Sequence, residues 1–92
     1  MADIISFLGE RLAEKINKSV MPTTGFIRLS IKDEFGEDIK IKQLTYQQFR
    51  KVIENSLRKR LENIHVSNLD KIISDMLIEL KNNQSLLTMM SI

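Results

Sequence analysis

Histidine and clustered carboxylates are the residues of this chain that could support catalysis or bind a metal. His65 is the single imidazole, and no serine or aspartate is spaced around it as a catalytic triad requires. Four acids lie from Asp33 to Asp38, but this segment lacks the alternating ligands and the distal glutamate of an EF-hand calcium loop. The chain has no cysteine, which excludes thiolate ligands and disulfides. The sequence therefore predicts a non-enzymatic protein that holds no metal and no cofactor.

Cationic side chains could instead neutralise phosphates. Residues 44–66 contain five bases and two acids, a formal charge of +3 in a chain whose net charge is +2. The candidate phosphate-binding residues are Arg28, Lys32, Lys40, Lys42, Lys51 and Arg58. Neighbouring acids weaken the field of this set, and apart from Phe26 it lacks aromatic residues that could stack on bases. Nucleic-acid binding, as a dimeric DNA-binding regulator, is therefore the alternative function.

Residues that break the apolar stripe of a helix, or that extend apolar character to a chain terminus, are candidates for contacts with another protein. Ile78 lies opposite the apolar stripe of its predicted helix, and Arg60 interrupts the stripe of the preceding helix. Leucine and methionine near residue 92 suit a groove on a partner, although Leu87 and Met90 would equally extend the last helix over the core. A plainer interpretation makes Arg60 a rim residue and Ile78 an ordinary exposed side chain. The candidate protein-contact residues are Arg60, Ile78, Leu86, Leu87, Met89, Met90 and Ile92.

The element that must position the cations is a predicted β-hairpin between Gly25 and Leu44. One face of this ribbon would carry Ile27, Leu29, Ile31, Ile39 and Ile41, and the other Arg28, Ser30, Lys32, Lys40 and Lys42. The acidic segment from Asp33 to Asp38 would form the turn. Because an isolated hairpin is marginal in water, helices of this chain or of a second copy must cover its apolar face.

Three amphipathic helices are predicted to flank the hairpin. Pro22 is predicted to end the first helix, and the segment from Met21 to Gly25 is predicted to be a connector. The second follows a capping box from Thr45 to Gln48, and the third a similar signature from Ser67 to Asp70. Their stripes comprise Ile5, Leu8, Leu12 and Ile16; Tyr46, Phe49, Val52, Ile53, Leu57, Leu61 and Ile64; and Leu69, Ile72, Ile73, Met76, Leu77 and Leu80. The predicted fold is a small α+β domain of order α-β-β-α-α, with a β-hairpin covered by three amphipathic helices.

In element order, the stretch that begins at Asp38 resembles the ribbon-helix-helix layout of DNA-binding proteins, although an extra strand and an extra helix precede it. The composition, 42% apolar and 28% charged, predicts one ordered domain over residues 1–92. Without cysteine or a membrane-spanning run, we expect a cytoplasmic protein. The leading hypothesis is a small regulatory or adaptor protein that binds another protein and forms a homodimer or larger homo-oligomer. A third hypothesis is a subunit of an enzyme complex whose chemistry lies elsewhere.

Overall fold

The chain folds as a bundle of helices. The computed structural model describes the backbone of residues 3–90 and the side chains of residues 3–87. Its elements are α1 (Ile4–Ile16), α2 (Val20–Phe35), a 3₁₀ turn (Ile41–Gln43), α3 (Tyr46–Val52), a π-helical turn (Ile53–Leu57), α4 (Arg58–Asn63), α5 (Leu69–Asn82) and α6 (Gln84–Met90). The π-helical turn joins α3 to α4 without a break, and we call these three pieces the middle helix. α1 packs against α2 and α5, and α2 packs against the π-helical turn.

The predicted β-hairpin is wrong, and so is the α+β fold class. Among residues 3–90 there is no strand, and the protein is a small all-α domain. The first predicted strand lies within α2. Ile27 and Ile31 are both buried, but they are four residues apart, a spacing that places side chains on one face of a helix as well as of a strand. Leu29 decides between the two patterns, because it is 46% exposed and does not share their face.

Polar residues complete the buried stripe of α2, which is why its helical period is hard to detect in the sequence. Thr23 and Ser30 are buried with Ile27 and Ile31. Their hydroxyls donate to backbone carbonyls one turn earlier, Thr23 Oγ1 to Ser19 O at 2.7 Å and Ser30 Oγ to Phe26 O at 2.9 Å. These bonds satisfy the hydroxyls without a partner from another helix.

The predicted connector at Met21 to Gly25 is also wrong, because α2 runs through it. Pro22 is the third residue of α2, where a backbone N–H would have no partner inside the helix, so the proline costs no hydrogen bond there. The second predicted strand is replaced by an irregular connection with a 3₁₀ turn, in which Ile39 and Ile41 are partly buried against the core. α2 ends at Phe35, and the residue that follows it is Gly36, whose φ of 95° favours glycine.

The three predicted helices are confirmed as α1, the middle helix and α5. The capping box at Thr45 is confirmed in both directions: Gln48 N donates to Thr45 Oγ1 at 3.2 Å, and Thr45 N donates to Gln48 Oε1 at 2.9 Å. The cap predicted at Ser67 is wrong. Asn68 precedes α5 in a left-handed conformation, and its side chain makes no capping hydrogen bond.

Two close contacts fix α2 in the bundle. Gly9 of α1 faces Thr24 of α2 so closely that a Cβ at position 9 would lie 2.3 Å from Thr24 Oγ1 and 3.1 Å from Thr24 Cα. On another side of α2, Glu34 Oε1 accepts from Ser56 Oγ at 2.7 Å and from Asn55 Nδ2 at 3.0 Å. Both donors lie in the π-helical turn, so this wider turn is held against α2 by hydrogen bonds as well as by apolar packing.

Candidate protein-binding site

A cleft of about 860 Å³ opens at one end of the bundle. Its walls come from the end of α1, the first turns of α2, the connection between α4 and α5, and the first turns of α5. These segments are brought together because α1 packs on both α2 and α5, while the middle helix ends beside them. The cleft is therefore built by parts of the chain that are distant in sequence.

The lining of the cleft is mainly apolar. It includes Ile16, Pro22, Phe26, Ile64, Val66 and Ile72. Ile64 is 44% exposed although it continues the predicted apolar stripe of the middle helix, because it lies at the end of α4, where it faces the cleft. Val20 and Met21 immediately precede Pro22, and Met21 is 85% exposed. Neither Val20 nor Met21 is among the lining residues of the cleft, so they are exposed apolar residues outside it.

Basic side chains line the same cleft. Lys15, Lys18, His65 and Lys71 contribute to its walls, and Asp75 is the acid among its lining residues. Lys71 Nζ lies 3.2 Å and Lys15 Nζ 3.3 Å from Asp75 Oδ2. The hydrogen bonds from Lys71 and Lys15 hold the pKa of Asp75 below its usual value, so this carboxylate stays ionised near neutral pH. Three lysines against one aspartate leave the cleft with a formal charge of +2 when His65 is neutral.

Arg60 was a candidate contact residue, and the structure places it beside the cleft wall. Its Nη2 donates to Asp33 Oδ1 of α2 at 3.0 Å, and its Nε donates to Asp33 Oδ2. The guanidinium carbon lies 5.8 Å from the ring centroid of Phe26, which lines the cleft. The hydrogen bonds from Arg60 hold the pKa of Asp33 below its usual value. Arg60 therefore ties α4 to α2 and braces Phe26, so its side chain is engaged within its own chain.

Ile78, Leu86 and Leu87 are not among the residues that line the cleft. Ile78 of α5 is 53% exposed, as its position opposite the stripe predicts. Leu87 is buried in the core and Leu86 packs partly against it, so this stretch extends the core as one of the two interpretations predicted. The side chains of Met89 and Met90 and the whole of Ile92 lie outside the described residues.

The structure does not gather the candidate phosphate-binding residues on one ribbon face. Arg28 and Lys32 lie on α2, Lys40 and Lys42 in the connection to α3, Lys51 on α3 and Arg58 on α4. Lys32, Lys51 and Arg58 each lie beside an acid of the chain. Within the described residues, the remaining three cations form no ion pair. The resemblance to ribbon-helix-helix proteins also ends here, because the part of the chain that the structure describes has no ribbon.

The acidic segment is used for ion pairs within the chain. Asp33 binds Arg60, Glu37 lies 3.7 Å from Lys32, and Glu34 accepts hydrogen bonds from the π-helical turn. Over residues 3–90 we find no group of three acidic, histidine or cysteine side chains that could hold a metal ion. No helix in the same range is both long and apolar enough to cross a bilayer.

Sequence reasoning missed the cleft because it treated the start of α2 as a connector. Lys15, Lys18 and Lys71 are not among the candidate residues that the sequence suggests. Comparison with protein-family models, with curated proteins and with solved structures gave no match. The function must therefore be argued from the site.

Proposed function

We propose that this protein is a small, non-enzymatic regulatory or adaptor protein of the cytoplasm that binds another protein through the cleft. One observation carries the proposal: the surface of the cleft is mainly apolar, and Ile64, one of its lining residues, is 44% exposed. Apolar surface that is exposed and contiguous with a concave site is typical of protein-interaction surfaces. Such a surface gains free energy when a partner removes it from water.

The extent of the surface favours a protein over a small ligand. A pocket for a small molecule usually buries most of the ligand surface. Here Ile64, one of the lining residues, is 44% exposed. A compact ligand inside the cleft would leave part of this side chain in water, whereas a longer segment of a protein could cover it.

The non-enzymatic part of the proposal rests on the surroundings of His65. This residue lines the cleft, and its φ of 56° lies in the left-handed region. Within the described residues, its ring makes no hydrogen bond that would orient it as a base for a nearby hydroxyl. Catalytic histidines are usually oriented by such a partner.

Nucleic-acid binding is the second candidate, supported by Arg28, Lys40 and Lys42, which are exposed. It has less support, because the other three cations of that set lie beside acids and would attract phosphates less strongly. Steep loss of affinity with added salt would be its signature, since phosphate binding releases counterions. Salt-tolerant capture of a protein would favour the cleft.

Self-association is a further part of the proposal. The sequence suggests it because a hairpin with three short helices gives no assured cover to Ile78 or to residues 86–92. The hairpin is absent from the described residues and Leu87 is buried in the core, whereas Ile78 is exposed. Exposed Met21 and Ile78 remain as surfaces that a second copy could cover. Sedimentation at micromolar and tenfold higher concentration tests this point: we expect a concentration-dependent oligomer, and a constant monomer contradicts it.

A matched pair of isoleucine substitutions tests the proposed function. Ile64→Asp places a charge in the apolar cleft, and Ile78→Asp places the same charge at a similarly exposed isoleucine outside it. Affinity capture from a lysate of the source cells, treated with nuclease, should retain a specific protein with the wild type and with Ile78→Asp, and lose it with Ile64→Asp. Loss with Ile78→Asp alone would move the contact to α5 and contradict the assignment of the cleft. Loss of capture after nuclease treatment would favour the nucleic-acid alternative.

A further inference from the structure

We infer that the partner segment bound in the cleft is an acidic amphipathic α-helix, and this inference depends on the proposed function. The apolar side of that helix would lie on the wall formed by Phe26 and Ile64. Its carboxylates would face Lys18 and Lys71 at the edge of the cleft. The inference rests on the charge of the cleft, on the apolar residues of its lining and on the absence of a sheet edge in the described part of the chain.

Charge complementarity sets the sign of the partner. Lys71 is largely exposed and shares Asp75 with Lys15, so one carboxylate serves two ammonium groups. Lys18 is exposed at the turn between α1 and α2 and forms no ion pair within the described residues. A basic partner would be repelled by this edge, and a neutral one would leave the lysines unused.

The apolar wall sets the amphipathic character. The guanidinium of Arg60 lies 5.8 Å from the ring centroid of Phe26, a contact that restrains the ring, and Ile64, the residue that follows α4, lines the same cleft. Rigid apolar anchors of this kind bind with little loss of side-chain entropy. A partner that satisfied only the lysines would leave this wall in water, so one side of the partner segment must be apolar.

Backbone geometry favours a helix over an extended segment. An extended peptide commonly binds by adding a strand to the edge of a sheet, and residues 3–90 form no sheet. The cleft is instead bounded by α1, α2 and α5, the arrangement in which an amphipathic helix packs its apolar face between helices of its receptor. A helix can also carry apolar residues on one side and acids on the other, which suits a cleft lined by both apolar side chains and lysines.

A displayed library of random peptides tests the inference directly on the wild-type protein. Peptides of about 16 residues, roughly four helical turns, are long enough to cover the cleft. Panning should enrich sequences that carry apolar residues at helical spacing together with Asp or Glu. Enrichment of basic or uncharged sequences, of alternating apolar patterns, or of no sequence at all would overturn the inference.

Two double variants then test where the enriched peptides bind. The double variant Lys18→Glu with Lys71→Glu reverses the charge at the edge of the cleft. The double variant Lys40→Glu with Lys42→Glu makes the same change of charge at exposed lysines outside the cleft. The first should weaken an enriched peptide at least about tenfold at low salt, with a smaller loss at high salt, and the second should leave it nearly unchanged. Equal effects of the two variants would overturn the inference. If Lys18→Glu with Lys71→Glu fails to fold, the milder Lys18→Gln with Lys71→Gln answers the same question, and no loss of affinity in that variant would also overturn it.

The result can be separated from the outcome for the proposed function. Should Ile64→Asp abolish capture of the cellular partner while panning yields no acidic helical peptide, protein binding at the cleft stands and the acidic helix is wrong. Enrichment of a segment of this chain itself would identify the occupant as a second copy, which would also overturn the inference.

Discussion

Two glycines in helix interiors give opposite expectations for the same substitution. Gly9 lies inside α1 and Gly25 inside α2, and alanine is a better helix former than glycine. In an exposed helix interior, alanine stabilises by roughly 0.5–1 kcal/mol relative to glycine. A Cβ at Gly25 meets no heavy atom within 4 Å, so Gly25→Ala should gain this amount in full. At Gly9 the added Cβ would lie 2.3 Å from Thr24 Oγ1, a separation that cannot persist without movement.

The cost at Gly9 outweighs the gain in helix propensity. Forcing an extra methyl group into a packed contact costs roughly 1–3 kcal/mol. Thr24 Oγ1 cannot move away cheaply, because it donates to Val20 O at 3.0 Å, and Thr24 Cα at 3.1 Å belongs to the backbone. We expect Gly9→Ala to be destabilising by about 0–2 kcal/mol, so that the two variants differ by about 1–3 kcal/mol. At about 4–8 °C per kcal/mol for a domain of this size, their melting temperatures should separate clearly.

Thermal and urea melts of both variants measure this difference. The double variant Gly9→Ala with Thr24→Ala removes the contact to the oxygen and leaves those to Cα and Cβ of residue 24, so it should recover part of the loss. Gly9→Ala that stabilises as much as Gly25→Ala would show that α1 and α2 do not approach at Thr24. Gly25→Ala that destabilises would show that position 25 lies in a turn rather than in a helix.

Two further substitutions and one deletion test the buried core and the ion pair between Asp33 and Arg60. Leu57→Ala should destabilise by about 2–5 kcal/mol in urea melts, because the side chain is fully buried; a loss under about 0.5 kcal/mol, typical of a surface site, would contradict this. Asp33→Asn should lower the free energy of unfolding at pH 7, because the hydrogen bonds from Arg60 hold the pKa of Asp33 below its usual value. The difference in this free energy between wild type and variant should disappear as the pH falls from about 4 through the lowered pKa. A difference that does not depend on pH would refute that origin. Deletion of residues 86–92 removes Leu87 from the core and should lower the melting temperature, and an unchanged melt would return this segment to the candidate contact surfaces.

The sequence predicts helices well where apolar spacing and caps agree. α1 and α5 have regular apolar stripes, and the capping box at Thr45 marks the start of the middle helix. Prediction from the sequence fails where polar residues complete the buried face of a helix. In α2 the stripe depends on Thr23 and Ser30, whose hydroxyls bond to their own helix, and Pro22 occurs in the first turn where proline is tolerated. A short alternation of isoleucine and leucine then fits a strand as well as a helix.

The cleft was unpredictable for a different reason. Its walls depend on how α1, α2 and the connection before α5 meet in space, and helical spacing within one segment carries no information about that. The π-helical turn adds to the difficulty, because a wider turn rotates everything after it relative to a regular helix. Arg60 projects into the apolar sector at regular spacing, yet in the structure it binds Asp33 at the rim of α2. Single exposed residues such as Ile78, by contrast, follow directly from the stripe of their own helix.

Photo-crosslinking from the cleft tests the central claim most directly. A photoreactive amino acid at Ser67, an exposed residue that lines the cleft, is compared with the same amino acid at Ser85, an exposed residue of α6 outside it. After irradiation in the source cells, we expect a covalent adduct with a specific protein from position 67 and none from position 85. The Ile64→Asp substitution should abolish that adduct. An adduct of equal yield from both positions, no protein adduct from position 67, or an adduct that survives Ile64→Asp would contradict protein binding at the cleft.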